Sequence, residues 1–164
     1  MKRGPKPKSK VKIKWSADFA YAIGLLATDG CLSSDGRHID FTSAEIEQIK
    51  SFIKALRIKV NIGKKYNSQG NSAYRVQFSD IPFYCFLESI GLTKRKSLTM
   101  GEILVPKNLF FDFLRGCFDG DGCSYSYWDP RWKSSFMFYI SFASGSITFI
   151  TWLQSEIEKL SFLQ

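Results

Sequence analysis

Two stretches decide how this chain reads: Ala22-Ile23-Gly24-Leu25-Leu26-Ala27-Thr28-Asp29-Gly30 and Leu114-Arg115-Gly116-Cys117-Phe118-Asp119-Gly120-Asp121-Gly122. Each closes an apolar helix with Asp-Gly. Each places small residues four apart, Gly24 with Thr28 and Gly116 with Gly120, so the small positions share one helix face. That spacing lets two helix backbones approach closely. Packing the segments on that face would bring Asp29 and Asp121 together at the helix C-termini. A carboxylate there faces the negative end of the helix dipole, and two carboxylates side by side repel. The arrangement makes sense where divalent cations sit between them, and oxygen ligands suit Mg²⁺. Taken singly, either Asp-Gly is an ordinary turn closing a buried helix. The second copy favours chemistry over a turn.

The repeat extends outward from the motifs. Ser16 can cap a helix from Ala17 towards Thr28. His38-Ile39-Asp40-Phe41-Thr42 alternates polar and apolar, as a half-buried strand does, and Tyr139-Ile140-Ser141-Phe142-Ala143-Ser144 parallels it. Thr42-Ser43-Ala44-Glu45 matches a capping box. Ile46, Ile49, Phe52 and Leu56 follow at helical spacing, and Ile147, Ile150, Leu153 and Ile157 fall in the same places. Tyr74 to Phe78 predicts another strand. Asp80, Pro82 and Gly91 bracket a further helix. Residues 64–73 read as a turn-rich link, and 124–135 as an extra loop in the second copy. The prediction is an α+β fold with pseudo-two-fold symmetry: an arm over 1–14, a first repeat over 15–108 and a second over 109–164. Counterparts of roughly residues 65–100 are missing from the second repeat, which reads as truncated.

Charge is concentrated at one end. The net charge is +8, yet Met1 to Lys14 hold seven basic side chains and no acid, so the remainder is nearly neutral. A basic arm on a neutral body suits a polyanion partner, and a solvated, mobile tail fits equally. No apolar run is long enough to span a bilayer. The run Phe19 to Ala27 behind a basic start has the look of a signal peptide, but Asp18 and Asp29 flank it and a similar run recurs mid-chain. Cys31, Cys85, Cys117 and Cys123 show no metal-ligand spacing and read as reduced, buried, small hydrophobes of an intracellular protein. The sole histidine, His38, excludes nuclease sites built on several histidines. Asp119 to Gly122 fails as an EF-hand, since Ser124 and Pro130 occupy its sixth and twelfth positions.

The paired nine-residue segments resemble the motif of the LAGLIDADG homing endonucleases, Leu114 to Gly122 closely and Ala22 to Gly30 more loosely. That resemblance covers nearly all the chain after the arm. It implies a central interface of the two motif helices, with Gly24, Thr28, Gly116 and Gly120 on it, and a saddle of antiparallel strands lying in the major groove. It implies that Asp29 and Asp121 bind the catalytic metal, Mg²⁺ or Mn²⁺. It also implies a lysine near the active site, for which Lys96 is the candidate with Lys94 behind it; a plain solvated loop lysine is the alternative. Asp119 is not carried over, because Ala27 holds the matching position.

Alternation then gives the face towards DNA. Ile39, Phe41, Val76, Phe78, Ile140 and Phe142 point to the helices. His38, Asp40, Thr42, Arg75, Gln77, Ser79, Tyr139 and Ser141 point away, and several of these side-chain types can read base edges. Arg37, Lys64, Lys65 and Lys133 sit in loops, placed for phosphate contacts. An ordinary solvated sheet face is the bland alternative. The resulting expectation is a Mg²⁺-dependent, sequence-specific endonuclease of double-stranded DNA, intron- or intein-borne. The rival is a non-cleaving nucleic-acid binder on the same scaffold, an intron-RNA maturase or a transcription regulator. The chain is expected to be monomeric if complete and prone to associate if truncated.

Overall fold

The computed structural model describes residues 9–66, 72–94 and 96–161, without the side chain of Ser97. Its architecture is α+β. Helix α1 (Ala17–Asp29) starts at Ser16, whose hydroxyl accepts from the Phe19 N–H at 3.2 Å. It ends as Gly30 turns to extended backbone. Then come β1 (Gly30–Leu32), β2 (His38–Ser43), α2 (Ile46–Leu56), β3 (Gly63–Tyr66), β4 (Ser72–Ser79), α3 (Ile81–Ser89) and the short α4 (Lys96–Thr99). A 3-10 turn (Lys107–Leu109) leads into the second motif helix, α5 (Phe110–Asp121), followed by β5 (Gly122–Trp128), β6 (Phe136–Phe142) and α6 (Ile147–Ser161). One antiparallel sheet has the order β1-β2-β4-β3, and the other pairs β5 with β6.

Helix α1 is buried from Phe19 through Ala27. A helix apolar on every side belongs in the middle of a fold; here the run that looks like a signal sequence is the central helix. Its partners are α5, the inner sheet residues Ile39, Phe41, Val76 and Phe78, the α2 residues Ile49, Phe52 and Leu56, and Phe83, Tyr84 and Leu87 of α3. Phe41 stacks on Phe52 with centroids 4.5 Å apart. Asp80 caps α3 by accepting from the Phe83 N–H at 3.0 Å. Among the described residues, no helix is long and apolar enough to cross a membrane.

Several sequence expectations need correction. The link over 64–73 contains β3, whose four residues are all exposed; pairing with β4 holds it, so it leaves no apolar alternation to read. The first five residues of the extra loop over 124–135 belong to β5, and the turn from Asp129 to Ser135 remains, closed by Asp129 N–H to Ser135 O at 2.9 Å. The capping box does not form. Strand β2 runs on through Ser43, Thr42 donates its hydroxyl to Asp40 Oδ1 at 3.1 Å, and α2 starts at Ile46 without a side-chain cap. Cys31, Cys85 and Cys123 are exposed and only Cys117 is buried, because Cys31 and Cys123 follow the Asp-Gly ends onto strand surfaces. Residues 1–8 of the arm lie outside the described residues. Residues 9–14 do not hang free: the Lys10 and Val11 N–H groups donate to Asp80 Oδ2 at 2.6 and 2.8 Å, and the Val11 side chain is buried.

Candidate nucleic-acid interface and acidic site

The two motif helices touch backbone to backbone. A Cβ placed on Gly24 would lie 2.1 Å from Phe113 O and 2.9 Å from the Gly116 Cα. One placed on Gly116 would lie 2.1 Å from Tyr21 O and 3.0 Å from the Gly24 Cα. Tyr21 and Phe113 hold matching places before their glycines, so the contacts are reciprocal, as a two-fold axis between α1 and α5 requires. Gly120 presses on the other helix as well: a Cβ there would lie 2.0 Å from Thr28 Oγ1 and 3.2 Å from Asp29 Oδ2.

This packing places Asp29 and Asp121 at neighbouring helix ends. Burial, then the charge of Asp121, pushes the Asp29 carboxyl above its ordinary range, while Lys96 pulls the other way. Two carboxylates sharing one site behave in this manner. Lys96 begins α4, and its ammonium donates to Ala27 O at 2.6 Å and to Thr28 O. It therefore satisfies carbonyls left open at the C-terminus of α1 and opposes the negative end of that dipole. Burial lowers its pKa, against the pull of Asp121 and Asp29. A cleft of about 370 Å³ opens here, lined by Thr28, Lys96, Asp121 and Ser144 among others. Lys94 sits apart, 3.8 Å from Glu88 and over the Tyr84 ring. Among the described residues, no cluster of three or more His, Cys, Asp or Glu side chains could hold a metal.

Sequence reasoning missed what Asp119 does. It accepts from the Tyr21 hydroxyl at 2.8 Å, and the Arg115 guanidinium lies over the same ring at 4.5 Å. Burial and Asp119 together raise the Tyr21 pKa. These groups tie α1 to α5 at a point where the repeats differ, Ala27 against Asp119, and that difference was the available signal.

On the first sheet, register places His38 opposite Ser79, Asp40 opposite Gln77 and Thr42 opposite Arg75, all on the face away from the helices. Much of this face is tied to itself. Arg75 is ion-paired to Asp40, and Asp35 holds both His38 and, at 3.2 Å, the Arg37 Nε. Gln77 is exposed between these pairs. Lys64 and Lys65 lie on strand β3 rather than in a loop. Lys65 pairs with Ala73 and so shares the Arg75 face, whereas Lys64 pairs with Tyr74 and takes the opposite face.

On the second sheet, Tyr139 and Ser141 occupy the outer face opposite Tyr125 and Cys123. Tyr139 stacks between Tyr125, at 5.0 Å, and Tyr127, at 6.0 Å. Reading 124–135 as a loop hid these two tyrosines, although Ser124-Tyr125-Ser126-Tyr127 alternates. Lys133 stands exposed in the turn between β5 and β6. Ile140 shares the inner face with Phe142 but is 59% exposed, since nothing among the described residues covers it.

No family model matches the sequence, and no curated protein does. Solved structures do match. The homing endonuclease I-WcaI bound to its DNA recognition sequence superposes with a TM-score of 0.53 at 14% identity, over 88% of this chain and 69% of that one. The N-terminal LAGLIDADG domain of DUF199/WhiA superposes with a TM-score of 0.50 at 13% identity, over 92% of this chain and 69% of that one. The chain has the LAGLIDADG fold. At such identity the likeness carries fold alone, and function rests on the site.

Proposed function

We propose that this protein is a divalent-metal-dependent endonuclease of double-stranded DNA, with Asp29 and Asp121 as its metal-binding carboxylates. One observation carries the reading: reciprocal contact at Gly24 and Gly116 delivers two acids to adjoining helix ends, where burial and mutual repulsion disfavour the charge on Asp29. A fold keeps such a pair most readily when a cation is meant to join it. The donor set is oxygen only, which fits a hard cation, Mg²⁺ or Mn²⁺, with phosphate and water oxygens completing its shell. When bound, such an ion supplies Lewis acidity at the scissile phosphate. Lys96 holds the end of α1, and with it Asp29, in place and adds positive charge to the cleft. The outer faces of the two sheets carry the duplex, with Gln77, Arg75 and Thr42 reading base edges from one half and Tyr139 and Ser141 contacting it from the other; Arg37, Lys65 and Lys133 serve the phosphates.

The second reading is a nucleic-acid binder that does not cut, and it too has a specific observation behind it. Two of the three Lys96 ammonium N–H groups are engaged by helix carbonyls. A duplex selected by binding from a randomised pool separates the two. Strand cleavage in Mg²⁺ or Mn²⁺ that vanishes in Asp121→Asn supports the endonuclease. Tight binding with intact DNA under both metals supports the binder and removes the first reading.

A further inference from the structure

The outer faces of the two sheets differ in chemistry. The first carries charge, with Asp40 ion-paired to Arg75 and Lys65 on the same face. Register puts six side chains on the outer face of the second: Cys123, Tyr125, Tyr127, Met137, Tyr139 and Ser141. None is charged, and none is an amide. Tyr139 stands where the first half has His38, and Ser141 where it has Asp40. The three phenol rings form a row, Tyr125-Tyr139-Tyr127, with interplanar angles of 12° and 8°. Tyr125 and Tyr127 are 53% and 42% exposed. The hairpin that carries the row is held firmly at its turn. The Asp129 carboxylate, 5% exposed, accepts from the Arg131 N–H and guanidinium at 2.9 to 3.1 Å, and the Asp129 N–H donates to Ser135 O. The face belongs to β5 and β6 alone, and a strand lying beside either would extend it sideways rather than cover it.

On the reading that both outer faces carry the duplex, we propose that the tyrosine row selects thymine, so that the base pairs facing β5 and β6 are recognised by 5-methyl groups and not by charge. Each base edge in the major groove calls for particular side chains. The paired acceptors of guanine suit Arg or Lys, the acceptor and donor of adenine suit Asn or Gln, and the cytosine amine suits Asp or Glu. Strands β5 and β6 present none of these outward. The thymine methyl suits an apolar surface, which the ring edges supply, and its O4 can accept from a phenol hydroxyl. Stacking on unpaired bases fits the geometry less well. Tyr139 already has a ring on each face, so the row offers edges and hydroxyls. Ring-on-ring packing also fixes these side chains before binding, so little rotamer freedom is lost when DNA arrives.

The test uses the full chain and a duplex selected by binding from a randomised pool. The two halves of the selected site should differ, with thymine concentrated in one. Uracil in place of a thymine there removes only the methyl, and is expected to weaken binding about fourfold per base, the worth of one buried CH₂ group. The penalty should be equal at low and high salt, as an uncharged contact requires. Tyr125→Ala, Tyr127→Ala and Tyr139→Ala should each abolish it at the thymine that ring touches, whereas Tyr125→Phe keeps the ring and should keep the penalty. The uracil measurement needs no variant, so it stands even where an alanine substitution impairs folding. If no duplex is held from the pool, the placement of DNA on the sheets is overturned, and this proposal with it. A selected duplex that binds equally well with uracil throughout leaves that placement intact and overturns thymine selection alone. So does a penalty that survives all three alanine substitutions, which would put the methyls against other residues. Tighter binding of the separated strands than of the duplex would make the row a stacking platform, and would overturn thymine selection as well.

Discussion

Phe19 and Phe111 stand five residues before the interface glycines of their helices, yet Phe19 is 3% exposed and Phe111 50%. Ile39 and Ile140 occupy matching strand positions with exposures of 0% and 59%. The side chains at each pair are the same, so the difference lies in what covers them. In the first half, α3 and β4 close over the sheet and α1. In the second, α5 and α6 leave a gap. A repeat in sequence therefore specifies which face asks for burial, and the layer above decides whether burial happens. The acids behave in a related way. Asp29 and Asp121 are equivalent by position, but among the described residues a lysine holds the terminal carbonyls of α1 and none holds those of α5.

The sharpest break of this comparison is chemical. Asp29→Asn and Asp121→Asn should each reduce cleavage by more than about 100-fold, since even outer partners of a metal site cost 10–100-fold. Both should leave DNA binding intact, as read by electrophoretic shift. Stability adds a second readout for Asp29. Its folded pKa lies above its ordinary value, so ionising it costs folding free energy, and that cost sets in as pH rises from the ordinary value through the folded one. Asp29→Asn should therefore melt higher than the parent at neutral pH, with the gap closing in acid below both values. A lower midpoint at pH 7 would show that Asp29 is held by a favourable contact rather than tolerated.

Next come the paired phenylalanines. Phe19→Ala should cost about 3–5 kcal/mol, the usual loss for a buried aromatic. Phe111→Ala should cost less than about 1 kcal/mol, because half the ring already meets solvent. Urea titration of both variants decides it, and equal losses would mean that the groove beside α5 is filled in solution. The interface glycines should show no such asymmetry. A methyl group on either would strike a carbonyl oxygen at 2.1 Å. Gly24→Ala and Gly116→Ala should therefore cost similar amounts, about 1–3 kcal/mol each. Two clearly unequal costs would break the reciprocity.

These contrasts also mark what the sequence could express. Motif helices, strands β2 and β4, and the Asp80 cap are legible because each rests on a local pattern: period, capping residue, small-residue spacing. Strand β3 is not, because Gly63-Lys64-Lys65-Tyr66 is exposed on both faces and exists only through pairing with β4. Strand β5 is hidden for a related reason. Its Ser-Tyr alternation has no buried side, and the expectation of matching repeats turns extra residues into a loop. The capping box fails because Thr42 and Ser43 are still part of β2 and Thr42 has a nearer acceptor in Asp40. The pairing of the site acids can be inferred from spacing, whereas the engagement of Lys96 by carbonyls 68 and 69 residues earlier cannot.

The smallest effect concerns the basic arm, which belongs to the first half alone. Asp80 is 1% exposed, and its carboxylate accepts from Lys10, Val11 and Phe83 N–H groups. Its own N–H donates to Arg37 O at 3.0 Å. The arm thus joins the body beside Arg37 and His38, at the rim of the sheet face proposed to meet DNA, with Lys10, Lys12 and Lys14 exposed. Removing residues 2–14 should weaken binding to every duplex alike and flatten the slope of log affinity against log salt by roughly 0.9 for each phosphate the arm no longer neutralises. Asp80→Ala should do something different. All the lysines remain, so they can still reach phosphate once bound, and the slope should hold. Affinity should fall because the arm must now be ordered on binding, and stability should drop by about 1–3 kcal/mol for the buried N–H groups left without a partner. An unchanged salt slope after the deletion would mean that the arm's lysines neutralise no phosphate, and a flattened slope in Asp80→Ala would mean that the anchor, not the number of lysines, sets how many phosphates the arm reaches.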